Sequence, residues 1–127
     1  MPHTDPIKTD RLKRRSDFLR LAKAGRKWVA PTIIVQADKT PENIAALRVG
    51  FTATKKTGGA VMRNRIKRRM REAVRIALAN ASTPSDIVLI GRTETANCAF
   101  PSLVRDLKWC LKRLEVTGHE KTSDTPA

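Results

Sequence analysis

A chain of 127 residues suits one domain with its own core, and its formal charge of +14, from 26 Lys and Arg against 12 Asp and Glu, points to a polyanionic partner. No run of about 18 apolar residues occurs, which excludes a transmembrane helix; the polar opening MPHTDPIKTD is not that of a secretory signal, and a cytoplasmic location is expected. The two cysteines, Cys98 and Cys110, stand in no CxxC pattern and beside no plausible His partner, so they offer neither a redox nor a metal motif.

Residues 1–10 carry two prolines and little apolar content, and read as a flexible arm. The basic cluster Arg11, Lys13, Arg14 and Arg15 precedes a helix that Ser16 would cap, with Asp17 at its positive dipole end and Gly25 closing it. Phe18, Leu19, Leu21 and Ala22 form its apolar side. Phe18 stays open between a core position and a base-stacking one. The β-branched run 32–37 predicts a strand, with Pro31 at its start or edge. Residues 39–45 hold a Pro and an Asn and read as a hairpin connection to the next strand. That strand, 46–54, alternates: Leu47, Val49, Phe51 and Ala53 on one face, Arg48, Gly50, Thr52 and Thr54 on the other. Helices are expected on the Val49 side, and the small polar face is what an open sheet surface for RNA would present.

The segment 55–75 holds nine Lys or Arg against a single acid, Glu72, a net +8 that is most of the chain's excess charge. Within a helix predicted over 61–80, Met62, Ile66, Met70, Ala73, Val74, Ala77 and Leu78 form one stripe. Arg65, Lys67, Arg68, Arg69, Arg71 and Arg75 fill most of the remaining circumference. Like charges at i,i+3 and i,i+4 repel by a few tenths of a kcal/mol each, whereas a solvated face ordinarily mixes signs. The planar guanidinium fork matches phosphate oxygens, and the helix N-terminus beside Gly58 and Gly59 offers free N–H groups to an anion. The GxxxxGK[ST] spacing of a nucleotide-binding loop is absent. A membrane surface fits less well, because the apolar stripe lacks Trp and Phe.

Residues 82–85 read as a turn and 86–92 as a nearly continuous apolar strand, hence a central one. Residues 93–99 read as a connecting loop. A last helix, from Phe100 or Pro101 to Glu115, turns Leu103, Val104, Leu107, Cys110, Leu111 and Leu114 inward, with Cys110 a small buried hydrophobe. The polar residues 116–127 are expected to be disordered. His3 and His119 lie in the tails and receive no role. The reading is a single small α/β (α+β) domain over 11–115, in the order helix, strand, strand, basic helix, strand, helix.

Residues 48–56, RVGFTATKK, followed by Gly58, by 60–68, AVMRNRIKR, and by Arg71-Glu72, closely resemble the protein subunit of bacterial ribonuclease P. Arg63-Asn64-Arg65 matches that family's RNR motif, and Arg15, Asp17-Phe18, Gly25 and the strand 86–92 support it. The likeness covers roughly 11–115. It implies a two-layer sandwich with a left-handed β-α-β crossover, against the general right-handed rule. It also implies that this chain has no catalytic residue: an RNA subunit, holding most of the Mg2+, would remove the 5′ leader of precursor tRNA. The resemblance places Arg63, Asn64, Arg65, Lys67, Arg68 and Arg71 on the RNA subunit, and Lys55 and Lys56 near the leader and its metals. Phe18, Ile34, Gln36, Thr52, Thr54, Ile90 and Arg92 would line a leader cleft. Ala22 and Gln36 stand where many members carry aromatics, so weaker stacking and relatively more hydrogen bonding are expected there. The implied partners are the RNA subunit and precursor tRNA, with no membrane and no small-molecule substrate. Two other readings share the charge pattern: a ribosomal-protein-like structural binder of rRNA, and a DNA regulator using the basic helix, which would have almost no Asn or Gln for reading bases.

Overall fold

The computed structural model describes residues 9–39, 46–79 and 85–114. Its strands are Thr9–Arg11 (β1), Arg26–Val29 (β2), Ile33–Asp38 (β3), Leu47–Thr52 (β4) and Ser85–Gly91 (β5). Its helices are Arg15–Ala24 (α1), Ala60–Ala77 (α2), Thr93–Asn97 (α3) and Phe100–Arg113 (α4), with a 3-10 turn at Lys55–Thr57. The strands form one mixed sheet in the order β1-β4-β5-β3-β2.

The most continuously apolar strand, β5, is central, as a strand covered on both faces should be. It pairs parallel with β4 and antiparallel with β3, so α2 links two neighbouring parallel strands. The hairpin expected across 39–45 does not form: β5 lies between β3 and β4, and 40–45 lie outside the described residues. The hairpin that does exist joins β3 to β2, an edge strand not anticipated because Arg26-Lys27-Trp28-Val29 is mostly exposed and lacks an apolar alternation. Thr9 and Asp10, assigned to the arm, belong to β1, which pairs parallel with β4. The 116–127 tail lies outside the described residues.

One face of the sheet carries the main core. Ile33, Val35, Leu47, Val49, Ile87 and Leu89 pack there against Ile66, Met70 and Ala73 of α2 and Leu103, Leu107 and Leu111 of α4, all buried. Gly91 permits the close approach of α2, since a Cβ there would lie 2.2 Å from Ile66 Cγ2. Cys110 belongs to this core, and burial, helped by Asp106, pushes its thiol up to about 12. The expectation that all helices share this side is corrected by α1. It covers the opposite face, where Leu21, Leu12 and Val88 form a second small core with Phe18 and Ile90 at its margin. Gly50 makes room for α1: a Cβ there would meet the Phe18 ring at 2.5 Å.

Residues 93–97, expected as loop, are α3. The segment has no apolar stripe, and its anchor is polar. Buried Thr95 accepts from Arg92 N through Oγ1 at 2.9 Å and donates to Thr32 O. Thr32 in turn donates from Oγ1 to the buried Asp106 carboxylate at 2.8 Å.

Candidate nucleic-acid interface

The surface begins at the end of β4. Thr54, Lys55 and Lys56 are exposed, and the Lys55–Thr57 turn is closed by Thr57 Oγ1 donating to Thr54 O at 2.6 Å. Gly58 follows at φ 139°, a left-handed conformation that suits glycine; a Cβ would also meet Met62 at 2.8 Å. This turns the chain into α2, whose first turn contains no acid and whose N-cap, Gly59, has no side-chain cap.

Burial of Ile66, Met70, Ala73 and Val74 fixes the rotation of α2. At about 100° per residue, Asn64, Arg68, Arg71 and Arg75 then fall within about 60° of one another, opposite Ile66. All four are exposed. Arg75 pairs with Glu72, which holds the Glu72 carboxyl below its ordinary value. Among the described residues no acid pairs with Arg68 or Arg71.

The other arginines of the helix are used differently. Arg65 is exposed, but its Nε donates to Ala96 O at 3.2 Å. Arg69 donates to Cys98 O, and its guanidinium lies 5.8 Å from the Phe100 ring centre. These two fasten α2 to α3 and α4. Arg63 and Lys67 are half-buried on the opposite flank.

A second surface lies on the outer face of the sheet. Strand register sets Thr52, Ile90, Ile34 and Val29 in one row across β4, β5, β3 and β2. The next row is Gly50, Val88, Gln36 and Lys27. α1 covers the Gly50 and Val88 end of this second row, and Phe18 and Ile90 both pack against the small Leu12, Leu21 and Val88 core there. The structure thus gathers Phe18, Ile34, Gln36, Thr52 and Ile90, all half-buried, along one trough. Arg92 continues β5 but donates through Nη1 to Ala30 O at 2.7 Å, so it also braces the β2–β3 turn. Ala22 is exposed on α1.

What holds α1 over this face was missed from sequence. Asp86 is fully buried and receives Arg48 Nε on Oδ1 at 2.8 Å and Arg48 Nη2 on Oδ2 at 2.6 Å. Arg20 of α1 reaches the same carboxylate, and also Asp38 at 2.9 Å and Asp17 at 3.4 Å. Hydrogen bonding to Asp86 raises the Arg48 guanidinium above its ordinary value. The signal was an acid at the start of an apolar strand, where burial makes an unpaired charge too costly to persist.

Among the described residues no three His, Cys, Asp or Glu side chains form a set able to hold a metal ion, and Asp17, Asp38 and Asp86 are engaged by arginines. No helix of the described residues is long and apolar enough to cross a membrane.

A family model described as Ribonuclease P matches residues 7–115. The chain belongs to the ribonuclease P protein family. The match includes β1, upstream of the residue-11 boundary read from sequence. A relative named Ribonuclease P protein component from Paramagnetospirillum magneticum is 46% identical over 121 residues, covering 92% of this chain and 91% of that one. Another so named, from Gluconacetobacter diazotrophicus, is 45% identical over 111 residues and covers 87% and 95%. Among solved structures, the RNase P protein of Staphylococcus aureus superposes with a TM-score of 0.73 at 29% identity, over 85% of this chain and 97% of that one. That of Thermotoga maritima gives 0.70 at 30% identity, over 81% and 96%.

Proposed function

We propose that the exposed side of α2 docks this chain onto the RNA subunit of ribonuclease P, and that the trough beside α1 receives the 5′ leader of precursor tRNA. As a ribonuclease P protein component the chain serves an endoribonuclease of tRNA processing, and family membership sets aside the structural rRNA reading. In this proposal Arg68 and Arg71 neutralise phosphates of the RNA subunit, with Asn64, Arg63, Arg65 and Lys67 beside them. Lys55 and Lys56 meet the leader phosphates where β4 hands over to α2. Mg2+ belongs mainly to the RNA subunit, which carries out the hydrolysis, and the complex works in the cytoplasm.

The observation that carries the reading is the α2 surface on which Arg68 and Arg71 stand without a described acidic partner. Phosphate neutralisation gives affinity without sequence preference. The trough adds apolar and small polar contacts that tolerate varied bases, and one subunit serving many precursors needs that tolerance. Reconstitution tests it: at low Mg2+, adding the chain to its cognate ribonuclease P RNA should accelerate cleavage of a precursor tRNA at the 5′ boundary. An unchanged rate would count against the proposal.

A further inference from the structure

A groove of about 630 Å³ runs between β1 and the C-terminal half of α2, outside both surfaces described above apart from sharing Arg71 and Arg75. Its floor is apolar, made by Val49, Phe51, Val74 and Leu78, and its volume lies within the range of pockets that enclose a small organic ligand. Arg11, Lys13, Arg71 and Arg75 stand on its rim, with Asp10 as the acid among them. Phe51 is half-buried, and the Arg11 guanidinium lies 6.0 Å from its ring centre.

We propose that this groove takes one unstacked nucleotide of a structured RNA, its base on the Phe51 floor and its flanking phosphates on Arg11, Lys13 and Arg71. The chemistry of the groove selects that occupant. An apolar peptide or a lipid tail would use the floor but leave the cationic rim unmatched, while a bare phosphate would use the rim and leave the floor wet. A nucleotide carries a flat π-face and an anion a few ångströms apart, and aromatic floors accept any base because every base has such a face. Position supports the same choice: Arg71 and Arg75 belong at once to this rim and to the exposed side of α2. An RNA lying along Arg68 and Arg71 would pass the mouth of the groove. The inference rests on the docking reading above and adds a discrete pocket to an otherwise diffuse electrostatic surface.

Ala79 offers a clean test, because it is exposed and lines the groove just beyond α2. Ala79→Trp would fill the groove without changing charge. Binding of the cognate ribonuclease P RNA should weaken about tenfold, with the salt dependence unchanged, because stacking is lost and no phosphate contact is. Chemical probing of the complex should show one unpaired nucleotide whose base is protected by the wild-type chain and reactive with the Trp variant. Wild-type affinity together with an unchanged base-protection pattern would overturn the inference and leave the docking reading standing. A wild-type chain that binds no ribonuclease P RNA would remove both. Should circular dichroism show Ala79→Trp misfolded, Arg11→Gln and Lys13→Gln take its place. Each should weaken binding and lower the salt slope by about one unit, and wild-type titrations for both would again overturn it.

Discussion

Arg20 and Arg48 lie between α1 and the sheet, where Asp17, Asp38 and Asp86 take up their charge, while Arg68 and Arg71 lie on α2 with no acid paired to them among the described residues. The same side chain thus serves two ends. Half-buried around a fully buried carboxylate it is mortar, and removing that carboxylate leaves its charge poorly compensated. Exposed beside its own kind it weakens the isolated helix slightly, and the repulsion is relieved when a polyanion arrives. Arg65 and Arg69 stand between the two classes, on the charged helix yet bonded to the Ala96 and Cys98 carbonyls. Counting basic residues in 55–75 therefore overstates the proposed docking surface, and pairing separates the members that hold the fold from those proposed to meet RNA.

The largest effect should come from the buried end of that contrast. Asp86→Ala leaves Arg48 and Arg20 facing each other and should cost about 3–5 kcal/mol of stability in urea denaturation; a loss below about 1 kcal/mol would erase the distinction between the two sets of arginines. Arg69→Ala removes a charge-assisted hydrogen bond and a ring contact and should cost about 1–2 kcal/mol, with less effect on RNA affinity than Arg68→Ala. If Arg69→Ala instead behaves like Arg68→Ala in both assays, the bonds to α3 and α4 carry no weight.

The cysteines give the smallest and sharpest version of the same contrast between buried and open groups. Iodoacetamide at pH 8 should label half-buried Cys98 and spare Cys110, whose thiol is raised to about 12, with both labelled in urea. Because the folded state holds that proton more tightly than the unfolded one, stability should fall as pH climbs from the ordinary thiol value toward 12. Equal labelling of both in the native protein would contradict the burial.

The regular elements with strong periodicity were legible in the sequence. The stripe on α2, the inward set Leu103, Leu107, Cys110 and Leu111 on α4, the alternation in β4 and the central place of β5 follow from burial patterns that period and composition express directly. Pairing was not. Nothing local in 39–45 says that β5, some forty residues later, will lie between β3 and β4, because strand order is decided by the sheet as a whole. β1, β2 and α3 escaped because short elements whose anchors are backbone pairing or a single buried Thr95 leave no periodic trace. In the candidate site, the trough residues follow from β3, β4 and β5 parity once those strands are known. The Asp86 clamp needed contacts spanning 38 and 66 residues, which no sequence window contains.

The most direct measurement is a titration of the cognate ribonuclease P RNA with wild type, Arg68→Ala, Arg71→Ala and the double variant at several salt concentrations, with urea stability measured alongside. Replacing these uncompensated arginines should weaken binding and lower the slope of log K against log salt by about one unit each and about two together. Stability should stay within about 0.5 kcal/mol of wild type. Parallel salt lines of equal affinity for all four proteins would contradict the claim that this side of α2 is where RNA docks.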